Sequence, residues 1–135
     1  MAIQEANPGL TLPLWGKARL LKDGKPLQVR RKALSILYYL ALEGPCTREK
    51  LAQLLWDQTT SARNLRVELS YLRQLLARAG SGGLTERADP LELPPDILTV
   101  VEAYPPADSL PLEDLDDLST DFQSWLEWTR HHLTE

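Results

Sequence analysis

Residues 61–80, SARNLRVELSYLRQLLARAG, crowd together side chains suited to gripping a phosphate and reading a base. Arginine matches phosphate oxygens and the paired acceptors of guanine. Asparagine matches the donor–acceptor pair of adenine, and an apolar side chain fits the thymine methyl. Leu65, Leu69, Leu72 and Leu76 recur at i, i+4, i+7 and i+11, a spacing that predicts one helix with an apolar stripe. Arg63, Asn64, Arg66, Val67, Ser70, Arg73 and Gln74 fall mostly off that stripe. Thr60 or Ser61 can cap the start, and Gly80 opens a Gly-Ser-Gly-Gly break that stops the helix. A solvated amphipathic helix shows the same pattern, so the remaining elements decide what this face is for.

Charge separates along the chain. The formal net charge of −4 is the sum of two opposed halves and the −1 of Glu5. Residues 15–80 hold thirteen Lys/Arg against five Asp/Glu, whereas residues 81–135 hold two Arg against thirteen acids. A basic half of this kind suits a polyanion, and the acidic half can dock on it. Other classes are poorly served. The 135 residues suit one domain, or one small domain with a tail. A single cysteine, Cys46, rules out a disulfide framework within the chain, and Cys46 with the adjacent His131 and His132 cannot supply an ordinary zinc site. No Gly-rich phosphate loop, Ser/His/Asp spacing or metal cluster points to an enzyme. No run approaches a membrane span, and no basic-then-apolar leader opens the chain. The expectation is a soluble cytoplasmic protein with no membrane partner.

The elements that position residues 61–80 follow from turn and capping chemistry. Residues 10–15 suit a short strand. Ala18–Leu21 and Pro26–Val29 flank Lys22-Asp23-Gly24-Lys25, and Asp-Gly between apolar runs predicts a hairpin. The chain thus opens with a small antiparallel sheet. A first helix is expected over 30–43, burying Ala33, Leu34, Leu37, Leu40 and Ala41, with Ile36 and Tyr38 widening the stripe. Arg30, Arg31 and Lys32 in its first turn oppose the helix dipole, and a bound phosphate would reverse the sign of that cost. Thr47 is a good N-cap for a second helix over 48–56. A short link then leads to the long third helix, which is the pattern of a helix-turn-helix with the longer helix as recognition helix. Leu84–Glu86 and Leu91–Leu93 bracket a loop and predict a wing hairpin. Ile97–Val101 either joins the wing sheet or crosses the surface. The fold class is therefore α+β: a winged helix with an N-terminal antiparallel sheet, a three-helix core, a C-terminal wing hairpin and an extra C-terminal helix. Residues 10–101 form the winged-helix domain, and residues 102–135 an acidic linker and C-terminal amphipathic helix.

Two stretches carry a family resemblance. Leu12–Leu42, with Trp15-Gly16, Asp23-Gly24, the basic stretch before Ala33-Leu34 and the Leu40-Ala41-Leu42 helix end, resembles the opening of bacterial transcriptional activators of the antibiotic-regulatory-protein type. These begin with an OmpR-like winged-helix DNA-binding domain. Thr47-Arg48-Glu49-Lys50-Leu51-Ala52, Leu55-Trp56, Ala62-Arg63-Asn64-Leu65-Arg66 and Leu69-Ser70-Tyr71-Leu72-Arg73 continue the likeness. Asp121-Phe122-Gln123-Ser124-Trp125-Leu126 resembles a helix of the activator domain that follows. The resemblance implies sequence-specific binding of double-stranded DNA and control of transcription, with no cofactor. By position it assigns base reading to Arg63, Asn64, Arg66, Val67 and Ser70, phosphate contact to Thr47, Arg48 and Arg73, and the minor groove to Arg87. The basic cluster Arg30, Arg31 and Lys32 joins the phosphate set. The rival reading is a winged-helix protein–protein interaction module within a larger regulator.

The final helix, over 119–132, turns Phe122, Trp125, Leu126, Thr129 and Leu133 to one side. Such a stripe needs a cover. Two are open: the N-terminal sheet near Trp15, or the same helix of a second copy, which would be self-association through Phe122, Trp125 and Leu126.

Overall fold

A computed structural model describes residues 9–56, 61–81, 84, 89–101 and 108–134. Among these residues the chain is a mixed α+β fold of four helices and one four-stranded sheet. In chain order the elements are β1 (Leu10–Pro13), β2 (Leu21–Lys22), β3 (Lys25–Pro26), α1 (Arg31–Glu43), α2 (Arg48–Leu55), α3 (Ser61–Arg78), β4 (Ile97–Val100) and α4 (Thr120–Leu133).

The β2–β3 hairpin turns on Asp23 and Gly24, both at positive φ, 53° and 85°. A two-residue turn of that hand matches the twist of the strands it joins. The sheet order is β3-β2-β1-β4. β1 pairs antiparallel with β2 and parallel with β4, in register from Leu10 opposite Ile97 to Pro13 opposite Val100. The sheet is thus mixed rather than antiparallel throughout. The stretch expected to join a wing or cross the surface instead completes the N-terminal sheet, because Ile97 is buried beside Leu10. Of the expected wing hairpin, residues 85–88 lie outside the described residues. Leu91 pairs with Cys46, between α1 and α2, through two backbone hydrogen bonds of 2.8 and 3.0 Å.

α1 is the axis of the core. Every residue from Ala33 to Leu40 is buried, so this helix is enclosed on all sides rather than along one stripe. Tyr38 brings a hydroxyl into that core. It donates to the Pro13 carbonyl and accepts the Arg19 N–H, which ties α1 to β1 and the segment after it. Burial pushes the phenol up to about 12. α2 starts where Thr47 Oγ1 accepts the Lys50 N–H at 3.2 Å, and α2 packs on α3.

The segment after residue 107 belongs to the same core, to which it contributes Leu112, Leu115, Phe122 and Leu126. Residues 110–113 run beside residues 14–18, joined by backbone bonds from Gly16 to Leu110, Leu112 to Leu14, Glu113 to Gly16 and Ala18 to Glu113. Ser119 caps α4 by accepting the Phe122 N–H, and its hydroxyl donates to the Leu54 carbonyl of α2. The Trp125 ring lies between those of Tyr39 and Phe122, and its indole N–H donates to Glu43. Arg130 grips the Pro111 and Leu112 carbonyls and the Asp116 carboxylate. The hydrogen bond from Arg130 holds the Asp116 carboxyl down to about 2, against partial burial that acts the other way. The cover over the stripe is therefore α1 and α2 of the same chain, not the sheet near Trp15. Self-association through Phe122, Trp125 and Leu126 is corrected by the same finding: Phe122 and Leu126 are 0% exposed within one chain. No helix of the described residues is long and apolar enough to cross a membrane.

Candidate nucleic-acid interface

α3 turns its leucines inward and its arginines outward. Leu65, Leu69, Leu72 and Leu76 are buried, whereas Arg63, Arg66 and Val67 are exposed, Val67 by 56%. Asn64, Ser70 and Arg73 are half-buried. The helix carries one acid, Glu68, and it is only 8% exposed. Three residues on from Leu65, it falls beside the leucine stripe. The solvent face of α3 therefore presents cations, an amide, a hydroxyl and a methyl-bearing side chain with no carboxylate among them.

Arg48 of α2 extends one flank of this face. With Arg66, Ser70 and Arg73 it lines a small pocket floored by Leu69, Leu84 and Leu91. Arg48 and Arg66 also border the groove between α2 and α3, together with Glu49, Gln53 and Ser61. Thr47 is exposed, and accepting the Lys50 N–H leaves its O–H able to donate to an anion. An acid intrudes here: Asp89 Oδ1 accepts the Arg48 backbone N–H at 3.0 Å. It takes a donor at the start of α2 that a phosphate would otherwise meet. Nearby, burial pushes the Cys46 thiol up from its ordinary value.

The other flank is built from α1 onto α3. Arg30 donates its N–H to the Tyr71 hydroxyl at 3.3 Å, and its guanidinium lies over the Tyr71 ring, 3.8 Å from the centroid. Arg30 Nη1 stands 3.7 Å from Glu68 Oε1. The Lys32 ammonium lies 4.5 Å from the centre of the Trp56 ring, at the end of α2. Arg31 is placed differently from its neighbours. Its guanidinium donates to the backbone carbonyls of Asp114 and Asp116, so it also anchors the C-terminal segment. Arg87 lies outside the described residues. Among the described residues, no three His, Cys, Asp or Glu gather into a metal site.

No family model, no curated protein and no solved structure matches this chain.

The sequence pattern assigns no site role to Glu68, Tyr71, Trp56 or Asp89. Glu68 was legible, because i+3 from Leu65 and i−4 from Leu72 puts it beside the buried row. Trp56 and Tyr71 were not, since their cation partners come from a helix that the local pattern cannot orient. Asp89 meets Arg48 across a sequence gap with no periodic signal.

Proposed function

We propose that this chain binds double-stranded DNA as the winged-helix part of a transcriptional regulator, with α3 in the major groove. One observation carries the reading: α3 directs four arginines away from its leucine row, while its single acid faces inward. Phosphates attract such a face, and a duplex adds base edges that Arg63, Asn64, Arg66, Val67 and Ser70 can read. Thr47, Arg48, Arg73, Arg30 and Lys32 flank it on both sides, where the sugar–phosphate strands of a groove would run. The pairing of Cys46 with Leu91 supports a small wing sheet between the α1–α2 connection and the segment after α3.

Selection of duplexes from a random library, followed by anisotropy titrations over a salt series, tests the proposal. An enriched sequence is expected, with log affinity falling against log salt by about 0.9 for each phosphate contacted. A pool that stays random, or affinity indifferent to salt, refutes it.

A second reading, a protein-interaction module, has its own observation. Leu98, Val100, Val101 and Leu110 are exposed aliphatic side chains on and after β4. They lie outside α3, so a protein contact there is compatible with DNA binding.

A further inference from the structure

We propose that Tyr71 is a positioning residue that presents Arg30 to a backbone phosphate on one flank of α3; the inference rests on the duplex-binding reading above. Arg30 stands just outside α1, at the N-cap, and makes no side-chain capping bond there. An arginine so placed ordinarily samples many rotamers, and docking costs it that freedom. Here α3 narrows the choice three ways. The Tyr71 hydroxyl takes the Arg30 backbone N–H, the Tyr71 ring supports the guanidinium, and Glu68 draws it by charge.

None of these contacts consumes the guanidinium. At 3.7 Å the Glu68 oxygen is beyond hydrogen-bond reach of Nη1, so it steers without saturating. The Arg30 side chain stays 54% exposed. A guanidinium resting on a ring by one face keeps its N–H edge for a bidentate anion. Neighbouring Arg31 shows the contrast, since two of its nitrogens are bonded to backbone carbonyls. Tyr71 itself needs to touch no nucleotide: it acts through Arg30.

The test uses the whole chain and its selected duplex, titrated by anisotropy across a salt series. Arg30→Ala is expected to weaken all sequences alike and to reduce the salt slope by about one. Tyr71→Leu removes the ring and is expected to weaken binding about threefold, the scale of an exposed cation–π contact. Tyr71→Phe keeps the ring and recovers most of that loss. Combined with Arg30→Ala, Tyr71→Leu is expected to cost nothing further. In the free protein, the Arg30 side-chain proton signals are expected upfield, shifted by the ring current, and Tyr71→Phe keeps that shift. Equal cost of Tyr71→Leu with and without Arg30 overturns the proposal. So does Tyr71→Phe binding as weakly as Tyr71→Leu. Unshifted Arg30 signals in the wild type do so even where Tyr71→Leu fails to fold. If the wild type binds a duplex and Arg30→Ala changes neither affinity nor slope, this inference alone falls. A wild type that binds no duplex overturns the duplex-binding reading and this inference together.

Discussion

Phe122→Ala removes a ring that has no exposure to solvent, at the contact of α4 with the rest of the chain. Burying a phenylalanine takes roughly 150–200 Å² of apolar surface out of water, worth about 4 kcal/mol at ~25 cal/mol per Å². Alanine retains a little of that, while the cavity left behind adds to the loss. Measured phenylalanine truncations of buried sites cost about 3–5 kcal/mol. Unfolding entropy is about 2.1 cal/mol/K per residue, or about 0.28 kcal/mol/K over 135 residues. The substitution should therefore lower Tm by roughly 10–18 °C. Thermal unfolding by circular dichroism, with sedimentation of the same samples, measures both the shift and the mass. The expected result is that large drop with cooperative unfolding and unchanged molar mass. A shift under about 3 °C would mean that α4 is undocked and the packing argument fails. A fall in molar mass would mean that Phe122 is covered by a second copy instead of by α1 and α2.

Other expectations follow from the same geometry. Deleting residues 107–135 strips Leu112, Leu115, Phe122 and Leu126 from the core and should abolish cooperative unfolding; a truncated chain that melts as the full one does would contradict the shared core. Asp89→Asn removes a carboxylate from the start of α2 and should tighten duplex binding about two- to fivefold at low salt, the scale of a helix-terminus charge; unchanged or weaker binding counts against that role. Asp116 titrates lower in the folded chain than its ordinary 3.8, so its contribution is present above about 4 and lost as pH falls through about 2. The stability gap between wild type and Asp116→Asn should close over that window, and a gap constant from pH 5 to pH 2 would discard the Arg130 explanation. Arg66→Ala should cost about 1–3 kcal/mol on the selected duplex and relax preference at one base pair; an equal loss on a scrambled duplex would remove Arg66 from the base-reading set.

What could be read from the residues was what is encoded locally. Asp23-Gly24 announces its turn because left-handed backbone at two successive residues demands such residues. Leu65 to Leu76 announce a helix and its inner face because their period is intrinsic to that helix. The partner of Ile97 was hidden: Leu10 lies across the whole helical region, and strand pairing leaves no mark between. The C-terminal stripe was legible from Phe122 to Leu133, but its cover was not, because the docking of α4 depends on Ser119 reaching Leu54 and Trp125 reaching Glu43. Arg31 illustrates the limit within the interface. Three adjacent cations read alike in a row, yet the helix sends Arg30 to α3, Lys32 to α2 and Arg31 to the C-terminal segment.

The central place of β1 bears on how the chain is made. β1, the first strand among the described residues, lies between β2 and β4, and residues 14–18 just after it lie against residues 110–113. A nascent chain that has reached only α3 holds one edge of β1 without its parallel neighbour, and no occupant for the place taken by Leu112 and Leu115. Long-range pairing of this kind is slow, because distant segments must meet before either contact helps. Closure of this core thus waits until residues 97–126 have been made, and until then the leucines of α1 and α3 are open to chaperones and to proteases. A stall in translation after α3 would release a chain with its helical propensities intact and its core unable to close.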